Sequence, residues 1–181
     1  MSDGTMSYTT GKSGDDDLRA MYTDRDGTMM RGGAGDDVLR GGSYNDILIG
    51  GSGDDWMYGG FGADQFRFFG NEITLGSDRD RIFDLKFGEG DVLVFGSFAA
   101  GTFGKLDGVN GFSGGGSAVI SSYEGIVNAA RFSDLVTATR GGANNDNLLL
   151  KVTNATTSQV QEVVITGGWS QYIAAGGSDG L

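Results

Sequence analysis

The stretch GGAGDDVLRGGSYNDILIGGSGDDWMYGGFGADQFR, residues 32–67, repeats one pattern every nine residues without a gap. Each unit begins with a glycine pair, has an aspartate at its sixth position and an apolar residue at its eighth. Residues 11–19, GKSGDDDLR, follow the same frame. The sixth-position acids are Asp16, Asp37, Asp46, Asp55 and Asp64, and the eighth-position apolar residues are Leu18, Leu39, Leu48, Met57 and Phe66. A fixed period of this kind indicates a repeat architecture.

The spacing predicts an all-β fold, a parallel β-roll or solenoid. Six glycine-rich residues make a turn, and three residues make a short strand whose middle side chain points inward. Two units complete one coil, so Asp37 should lie over Asp55, and Asp46 over Asp64. Carboxylates about 4.8 Å apart repel each other by about 1 kcal/mol in water and by about 3–4 kcal/mol at an effective dielectric constant of 20. A divalent cation between successive coils would turn each repulsion into a bridge, so folding and ion binding would be one event.

The pattern is similar to the GGxGxDxUx nonapeptide of the RTX (repeats-in-toxin) family. The resemblance implies a calcium-loaded β-roll with several ions. Carried over position by position, it assigns a first ion to the carbonyls or carboxylates of Gly32, Ala34, Asp37, Gly51, Gly53 and Asp55. It assigns a second ion to Gly41, Ser43, Asp46, Gly60, Gly62 and Asp64.

Two departures from the regular repeat affect this prediction. Asp16 precedes Asp37 by one coil plus three residues, which predicts that residues 20–31 form a degenerate half-coil with a three-residue insertion. Asp26 is the predicted acid of that half-coil. Tyr44 replaces the glycine at the fourth position of its unit, where a left-handed conformation is usual, so the sequence predicts a strained or weaker turn there.

Beyond residue 67 the nine-residue period ends, and residues 68–181 are predicted to form a β-rich cap with one short helix on the roll of residues 1–67. Residues 76–98 resemble the segment that follows the last repeat in secreted RTX proteins, and read as two strands around a turn. Asp80 and Asp84 either close the last calcium site or lie on a solvent-facing strand edge. Ser121 and Glu124 form a predicted capping box, and residues 146–169 read as a hairpin.

The composition excludes several classes of function. The net charge is −11, and 20 of the 24 acidic residues are aspartate, which disfavours nucleic-acid binding. The chain has no histidine and no cysteine, which removes serine–histidine and cysteine–histidine catalysis and any disulfide framework. No apolar stretch is long enough to span a membrane, and the first residues show no cleavable signal peptide.

The resemblance implies a non-catalytic, calcium-binding module of a secreted or cell-surface protein from a Gram-negative bacterium. Such a module is exported by the type I secretion apparatus, guided by an uncleaved C-terminal signal, for which residues 170–181 are the candidate. A polysaccharide-binding module, for an acidic or neutral polysaccharide, is one alternative. Another is the C-terminal tail of a longer secreted protease, lipase or mannuronan epimerase, in which the partners would include the parent protein's other domains.

The outward positions of the strands predict a partner surface, because many of them are apolar here. Trp56 and Tyr58 would stack on sugar rings from one sheet, and Ile47 and Ile49 would serve self-association from the other. The alternative, which we favour, is that the C-terminal segment folds over this surface.

Overall fold

The computed structural model describes residues 6–21, 26–73, 77–100, 102–103, 112–113, 117–141 and 145–178. In them the chain forms two seven-stranded sheets. The first sheet contains, in spatial order, β1 (Ser7–Thr10), β3 (Thr28–Ala34), β5 (Ile47–Ser52), β7 (Gln65–Phe69), β9 (Val92–Gly96), β11 (Ser117–Ile120) and β10 (Phe112–Ser113). The second contains β2 (Asp17–Arg19), β4 (Val38–Gly42), β6 (Trp56–Gly60), β8 (Ser77–Ile82), β14 (Val160–Ile165), β13 (Leu148–Thr153) and β12 (Val136–Arg140).

The first nine strands alternate between the two sheets and pair in parallel within each, which confirms the predicted β-roll. We call the turns that lead from the first sheet to the second the first edge, and those that lead back the second edge. Asp17 pairs with Val38, so the register includes the predicted three-residue insertion. The strands of the middle coils are longer than three residues, because the opening glycines of the next unit continue the ladder, as Gly33 does opposite Gly51.

The eighth-position side chains fill the space between the sheets, as the sequence predicted. Met30, Leu48, Phe66 and Leu93 stack in register from the first sheet, and each is fully buried. Leu39, Met57 and Ile82 do the same from the second sheet. Each of these seven strands therefore contributes an apolar side chain to one of two continuous columns, and burial of these columns stabilises the stack.

The turns adopt left-handed glycine conformations at the fourth position of the units. Gly35, Gly53 and Gly62 have φ values of +122°, +121° and +129°. Tyr44, at the same position, is not among the described non-glycine residues with positive φ. The strained turn predicted at Tyr44 is therefore absent, because this turn takes a backbone conformation that a side chain tolerates.

Parallel pairing does not end where the nonapeptide motif ends. β8 pairs in parallel with β6, and β9 with β7, so the segment predicted as two strands around a turn places its strands in different sheets. A 3-10 helix, Phe87–Glu89, lies between them. The C-terminal strands then extend both sheets: β11 pairs antiparallel with β9, and β14 pairs in parallel with β8. The predicted hairpin is confirmed as β13 and β14.

Two α-helices accompany the C-terminal strands, α1 (Tyr123–Phe132) and α2 (Gly168–Ala174). The N-cap of α1 is Ser122, whose side chain accepts a hydrogen bond from Gly125 N, so the cap predicted at Ser121 is wrong by one residue. The helix α2 was not predicted, and it buries Trp169 and Tyr172. Neither helix combines the length and apolar character that crossing a membrane would require, within the residues that the structure describes.

Candidate metal centres along both edges of the roll

On the first edge, the sixth-position aspartates form a ladder of hydrogen bonds between coils. Asp16 N donates to Oδ1 of Asp37, and Asp37 N donates to Oδ1 of Asp55, both at 2.8 Å. Asp55 N donates to Oδ1 of Asp80 at 3.0 Å. Each carboxylate therefore lies against the backbone of the preceding coil, and the predicted stacking of Asp37 over Asp55 is confirmed.

The second edge repeats this ladder with two differences from the sequence prediction. Asp46 N donates to Oδ1 of Asp64 at 2.8 Å, and Thr28 N donates to Oδ1 of Asp46 at 2.6 Å. Thr28 therefore takes the ladder position that we assigned to Asp26, which lies two residues earlier, because the register pairs Met29 with Ile47. At the other end, Asp64 N donates to Oδ1 of Asp91 at 3.0 Å, so Asp91 is a ladder residue that the sequence analysis did not assign.

The fifth-position side chains form separate ladders with the opposite direction of hydrogen bonding, in which the N–H of each coil donates to a side chain of the preceding coil. Asp36 N donates to Oδ1 of Asp15, and Asp54 N donates to Oδ1 of Asp36, both at 2.9 Å. On the second edge, Ala63 N donates to Oδ1 of Asn45 at 2.9 Å. These hydrogen bonds lie at the exposed surface, whereas the sixth-position carboxylates of the four consecutive repeats, Asp37, Asp46, Asp55 and Asp64, are buried. The two adjacent acids of one unit, such as Asp54 and Asp55, therefore differ in burial. The sequence pattern alone does not show this difference.

The second oxygen of the buried carboxylates is the main electrostatic feature of the edges. Asp37, Asp55 and Asp64 are at most 1% exposed, and Oδ2 of each has no hydrogen-bond partner among the described residues. The pKa of Asp55 is raised to about 7, first by burial and then by the carboxylates of Asp37 and Asp78. The pKa of Asp64 is also raised to about 7, by burial and then by Asp91 and Asp46. A buried carboxylate without a partner is costly unless a proton or a cation neutralises it.

The first glycine of each unit provides the space in which these oxygens lie. A methyl group built on Gly32 would contact Oδ2 of Asp37 and would lie 2.6 Å from the carbonyl oxygen of Gly50. A methyl group on Gly41 would contact the carbonyl oxygen of Gly59 and would lie 2.5 Å from Oδ2 of Asp46. A carboxylate oxygen and a carbonyl oxygen from the next coil therefore approach one small space at each of these two turns.

These groups fit calcium. All of them are oxygen donors, which hard cations prefer, and calcium accepts carboxylate and carbonyl ligands at about 2.3–2.6 Å. No three Asp, Glu, His or Cys side chains in the described parts of the chain are grouped to hold a metal by themselves. An ion at these edges would therefore depend on backbone carbonyls as well as carboxylates. The carbonyls of Gly50 and Gly59 are candidate ligands that the sequence analysis missed.

The remaining predicted ligands lie in the same turns, and their assignment stays a prediction. They are the backbone groups of Gly32, Ala34, Gly41, Ser43, Gly51, Gly53, Gly60 and Gly62. Some of these carbonyls accept hydrogen bonds within the protein, as Ala34 O does from Gly14 N at 2.5 Å and Gly60 O from the Lys86 ammonium at 3.1 Å. A carbonyl oxygen has two lone pairs, so one such hydrogen bond does not prevent coordination.

Asp80 and Asp84, the pair predicted for a last calcium site, lie at opposite edges. Asp80 is on the first edge, where its Oδ2 accepts a hydrogen bond from the Gln161 side-chain amide at 2.9 Å. Asp84 is on the second edge, where its two oxygens accept from Gly59 N and Gly60 N, both at 2.9 Å. They therefore do not share one site. Asp80 lies in β8 beside the first edge, whereas Asp84 lies beyond the end of β8, in the turn that leads to β9.

The predicted partner surface is confined to one sheet. Ile47 and Ile49 are only 8% and 6% exposed, so they offer no exposed surface for self-association. Trp56 is 51% exposed, and Tyr58 is half-buried. The ring of Phe83, which follows β8, stacks on Tyr58 with a centroid distance of 4.4 Å and covers it in part. Alternation along a strand predicts which side chains point outward, whereas their exposure depends on what packs beside them.

Comparison with protein families identifies the repeats. Residues 31–66 match the family of RTX calcium-binding nonapeptide repeats, in four copies. The chain therefore contains RTX calcium-binding repeats over the part that forms β3 to β7. No curated protein matches the chain by sequence.

Comparison with solved structures shows the fold. The AlgE6R2 subunit of the mannuronan C5-epimerase of Azotobacter vinelandii is 23% identical, aligns over 96% of this chain and 89% of its own length, and has a TM-score of 0.52. The AlgE6R3 subunit of the same enzyme is 22% identical, covers 87% of this chain and 73% of its own, with a TM-score of 0.47. The extracellular lipase LipA of Serratia marcescens is 23% identical over 88% of this chain, with a TM-score of 0.49. This chain spans 18% of the length of that lipase.

Proposed function

We propose that the chain is a non-catalytic, calcium-binding RTX module that folds when it binds calcium outside the cell. In this way it supports type I secretion and the stability of an extracellular or surface protein. The observation that supports the proposal best is a row of buried carboxylate oxygens, at Asp37 and Asp55 on one edge and Asp64 on the other, for which the described part of the chain supplies no hydrogen-bond partner.

The energetics explain why such a roll would need ions. At neutral pH the unfolded chain has these carboxylates solvated and ionised, whereas the folded chain buries them beside one another. Each ion that binds only the folded state stabilises it, by about 2.7 kcal/mol when free calcium exceeds the dissociation constant a hundredfold. Several ions together would therefore change the stability by as much as the whole free energy of unfolding of a typical domain, about 5–15 kcal/mol.

The secretion part of the proposal follows from the repeats and the composition. RTX repeats are typical of secreted proteins of Gram-negative bacteria, and residues 31–66 contain four of them. A chain that folds only in calcium would remain unfolded in the calcium-poor cytosol, as export through a channel requires. It would then fold outside the cell without disulfides, which a chain with no cysteine cannot form.

Calcium titration of the chelator-treated protein, followed by far-ultraviolet circular dichroism at neutral pH, tests this proposal. We expect a cooperative gain of β-sheet signal with calcium, in the range of about 10⁻⁴–10⁻³ M that is usual for extracellular modules. Magnesium at the same concentration is the control and should have little effect, because it requires a small octahedral site and loses its water reluctantly. A spectrum that is already native in chelator, and does not change with calcium, would contradict coupled folding.

A second candidate function, binding of an acidic polysaccharide, is favoured by one surface of the second sheet. We define the aromatic–arginine face as Asp54, Trp56, Arg79, Arg81 and Phe83, which line a cleft of about 330 Å³. The guanidinium of Arg81 lies 5.7 Å from the centre of the Phe83 ring. The centre of the Trp56 ring lies 5.5 Å from the centre of the Phe83 ring. Exposed aromatic faces can stack on sugar rings, and arginine pairs with carboxylates in a bidentate manner.

Quenching of tryptophan fluorescence by alginate tests this second function. The chain has two tryptophans, and Trp169 is only 8% exposed, so the accessible signal comes from Trp56. We expect saturable quenching by alginate that weakens with salt, and a loss of affinity of about tenfold in Arg81→Ala, because a charge-assisted contact contributes about 1.5–3 kcal/mol. Phe61→Ala is a matched control, since Phe61 is 69% exposed outside this face. Equal losses in both variants would contradict the assignment.

A further inference from the structure

The first edge changes its chemistry where the repeats end and β8 begins. In the preceding coil, the N–H of Gly35 donates to the backbone carbonyl of Ser52 at 2.9 Å. The equivalent N–H of the next coil, that of Gly53, donates instead to the side chain of Asp78, to Oδ1, at 2.9 Å. A carboxylate therefore takes the place that a third-position carbonyl has within the repeats.

The carboxylate of Asp78 is buried, and one of its oxygens has no partner. Asp78 is 3% exposed, and its Oδ2 accepts no hydrogen bond within the described parts of the chain. Its pKa is raised to about 6, chiefly by burial and then by the carboxylates of Asp54, Glu72 and Asp36. The charged groups that raise it are thus all acidic, and they make the surroundings of this oxygen attractive to a cation.

Two further carboxylates lie at the same junction. Asp80 is 2% exposed and follows Asp78 by two residues on β8, so both side chains are on one face of the strand. Asp55 donates its N–H to Oδ1 of Asp80, and its own Oδ2 is buried without a partner among the described residues. The pKa of Asp80 is also raised well above its ordinary value, by burial and then by Asp55.

The second edge ends differently, because both the backbone N–H and the side chain of Lys86 donate hydrogen bonds there. The Lys86 ammonium donates to Gly60 O at 3.1 Å, and Lys86 N donates to Oδ2 of Asp91 at 2.7 Å. The last ladder carboxylate of the second edge therefore has both oxygens satisfied by the protein. On the first edge, Oδ2 of Asp80 has a neutral partner, Gln161, and Oδ2 of Asp78 has none among the described residues.

We propose that Asp78 is a ligand of a further calcium site, located between the turn at Gly53–Asp55 and β8, outside the nonapeptide repeats. The inference rests on the calcium binding proposed above and adds a site that the repeat motif does not contain. Asp78 supplies a carboxylate where the repeats have a carbonyl, and backbone carbonyls of the turn complete the shell. Because calcium affinity depends on the charged ligands of a site, loss of the Asp78 carboxylate should weaken this ion strongly.

The site also connects calcium to the C-terminal strands. Gln161 of β14 lies opposite Asp78 in the parallel register, and its side-chain amide donates to Asp80. Next to it, Glu162 forms an ion pair with Arg79 at 2.5 Å. An ion between the turn and β8 therefore fixes the strand to which β14 is hydrogen-bonded. Calcium then orders β14, although β14 contains no repeat.

The variant Asp78→Asn tests the proposal, because it removes the charge and keeps the acceptor for Gly53 N. Without calcium, we expect the variant to show more β-sheet signal by circular dichroism than the wild type, since a buried charge has been removed. With calcium, we expect one bound ion fewer than in the wild type by calorimetric titration, because the dissociation constant of this site is raised about tenfold or more. Amide hydrogen exchange of residues 160–165 in calcium should be faster than in the wild type.

Glu124→Gln is the matched control, because it removes one acidic charge from an exposed position on α1. It should keep the wild-type number of ions and the wild-type exchange of β14. If Asp78→Asn binds the same number of ions as the wild type with the same affinity, Asp78 is only a buried acid and the site is refuted. If the wild type binds no calcium, the proposed function fails as well, and the two failures are therefore distinguishable.

Discussion

Acidification of the calcium-free protein is expected to stabilise it, by several kcal/mol between pH 8 and pH 5. The pKa values of Asp55 and Asp64 are raised to about 7 in the folded protein, from an ordinary value of 3.8. The folded state therefore binds more protons than the unfolded state between about pH 4 and pH 7. This stabilisation is present at low pH and is lost as the pH rises through 7. A shift of three pKa units corresponds to about 4 kcal/mol, an upper limit for each group.

Calcium should change this pH dependence, because the ion and the proton compete for the same carboxylate oxygens. In saturating calcium, we expect the melting temperature to be highest near neutral pH and to fall toward pH 5, where protonation weakens binding. The measurement is the far-ultraviolet circular dichroism signal in chelator at pH 5, 6, 7 and 8, together with thermal melts in calcium at the same pH values. A β-sheet signal in chelator that stays constant or rises with pH would show that these carboxylates are not charged and buried in the folded protein.

The sequence was sufficient to predict the roll, because two different features recur in it with the same nine-residue period. The glycine pairs recur every nine residues, and an inward apolar residue recurs in the same phase, as Leu39 and Leu48 show. The 18-residue coil follows from two units per turn, and it appears as the hydrogen bond from Asp37 N to Asp55. Even the insertion before Asp37 could be predicted, since a count of residues between two aspartates fixes the register of the coil between them.

The continuation of the roll could not be predicted from the period, because its turns become longer. Asp55 and Asp80 are 25 residues apart, and Asp64 and Asp91 are 27 apart, although both pairs make the same ladder contact as residues 18 apart. Strand pairing tolerates longer turns, because loop closure costs little extra free energy as a loop lengthens. A motif of fixed length therefore ends before the hydrogen-bonded structure does, and Asp91 and Asp78 were missed for this reason.

Local patterns were least reliable where tertiary contacts decide the outcome. The repeat frame placed an acid at Asp26, but the strand register gives that position to Thr28. Alternation predicted that Ile47 and Ile49 face outward, and it contains no information on whether other side chains cover them. The α2 segment has glycines at both sides and no side-chain cap, so its helix depends on burial of Trp169 and Tyr172 rather than on a capping signal.

Asp55→Ala is expected to abolish most of the calcium-dependent stability, whereas Asp54→Ala should leave most of it in place. Oδ1 of Asp55 accepts from Asp37 N, so the substitution leaves a buried N–H without its acceptor, which costs about 1–3 kcal/mol. It also removes the carboxylate of an ion site, which costs about a further 2.7 kcal/mol at a calcium concentration a hundred times the dissociation constant. The sum approaches the total stability of a typical domain.

Asp54 is the matched control, because it is the adjacent acid in the same unit and has the same charge. Its carboxylate is exposed and accepts one hydrogen bond, from Arg79 N at 3.1 Å, so its loss should cost about 0.5–1.5 kcal/mol. Denaturant unfolding and calorimetric calcium titration of both variants measure the difference. Because the two variants differ only in which neighbouring acid is removed, equal losses of calcium affinity would mean that charge density at the edge, rather than the buried ladder, holds the ions.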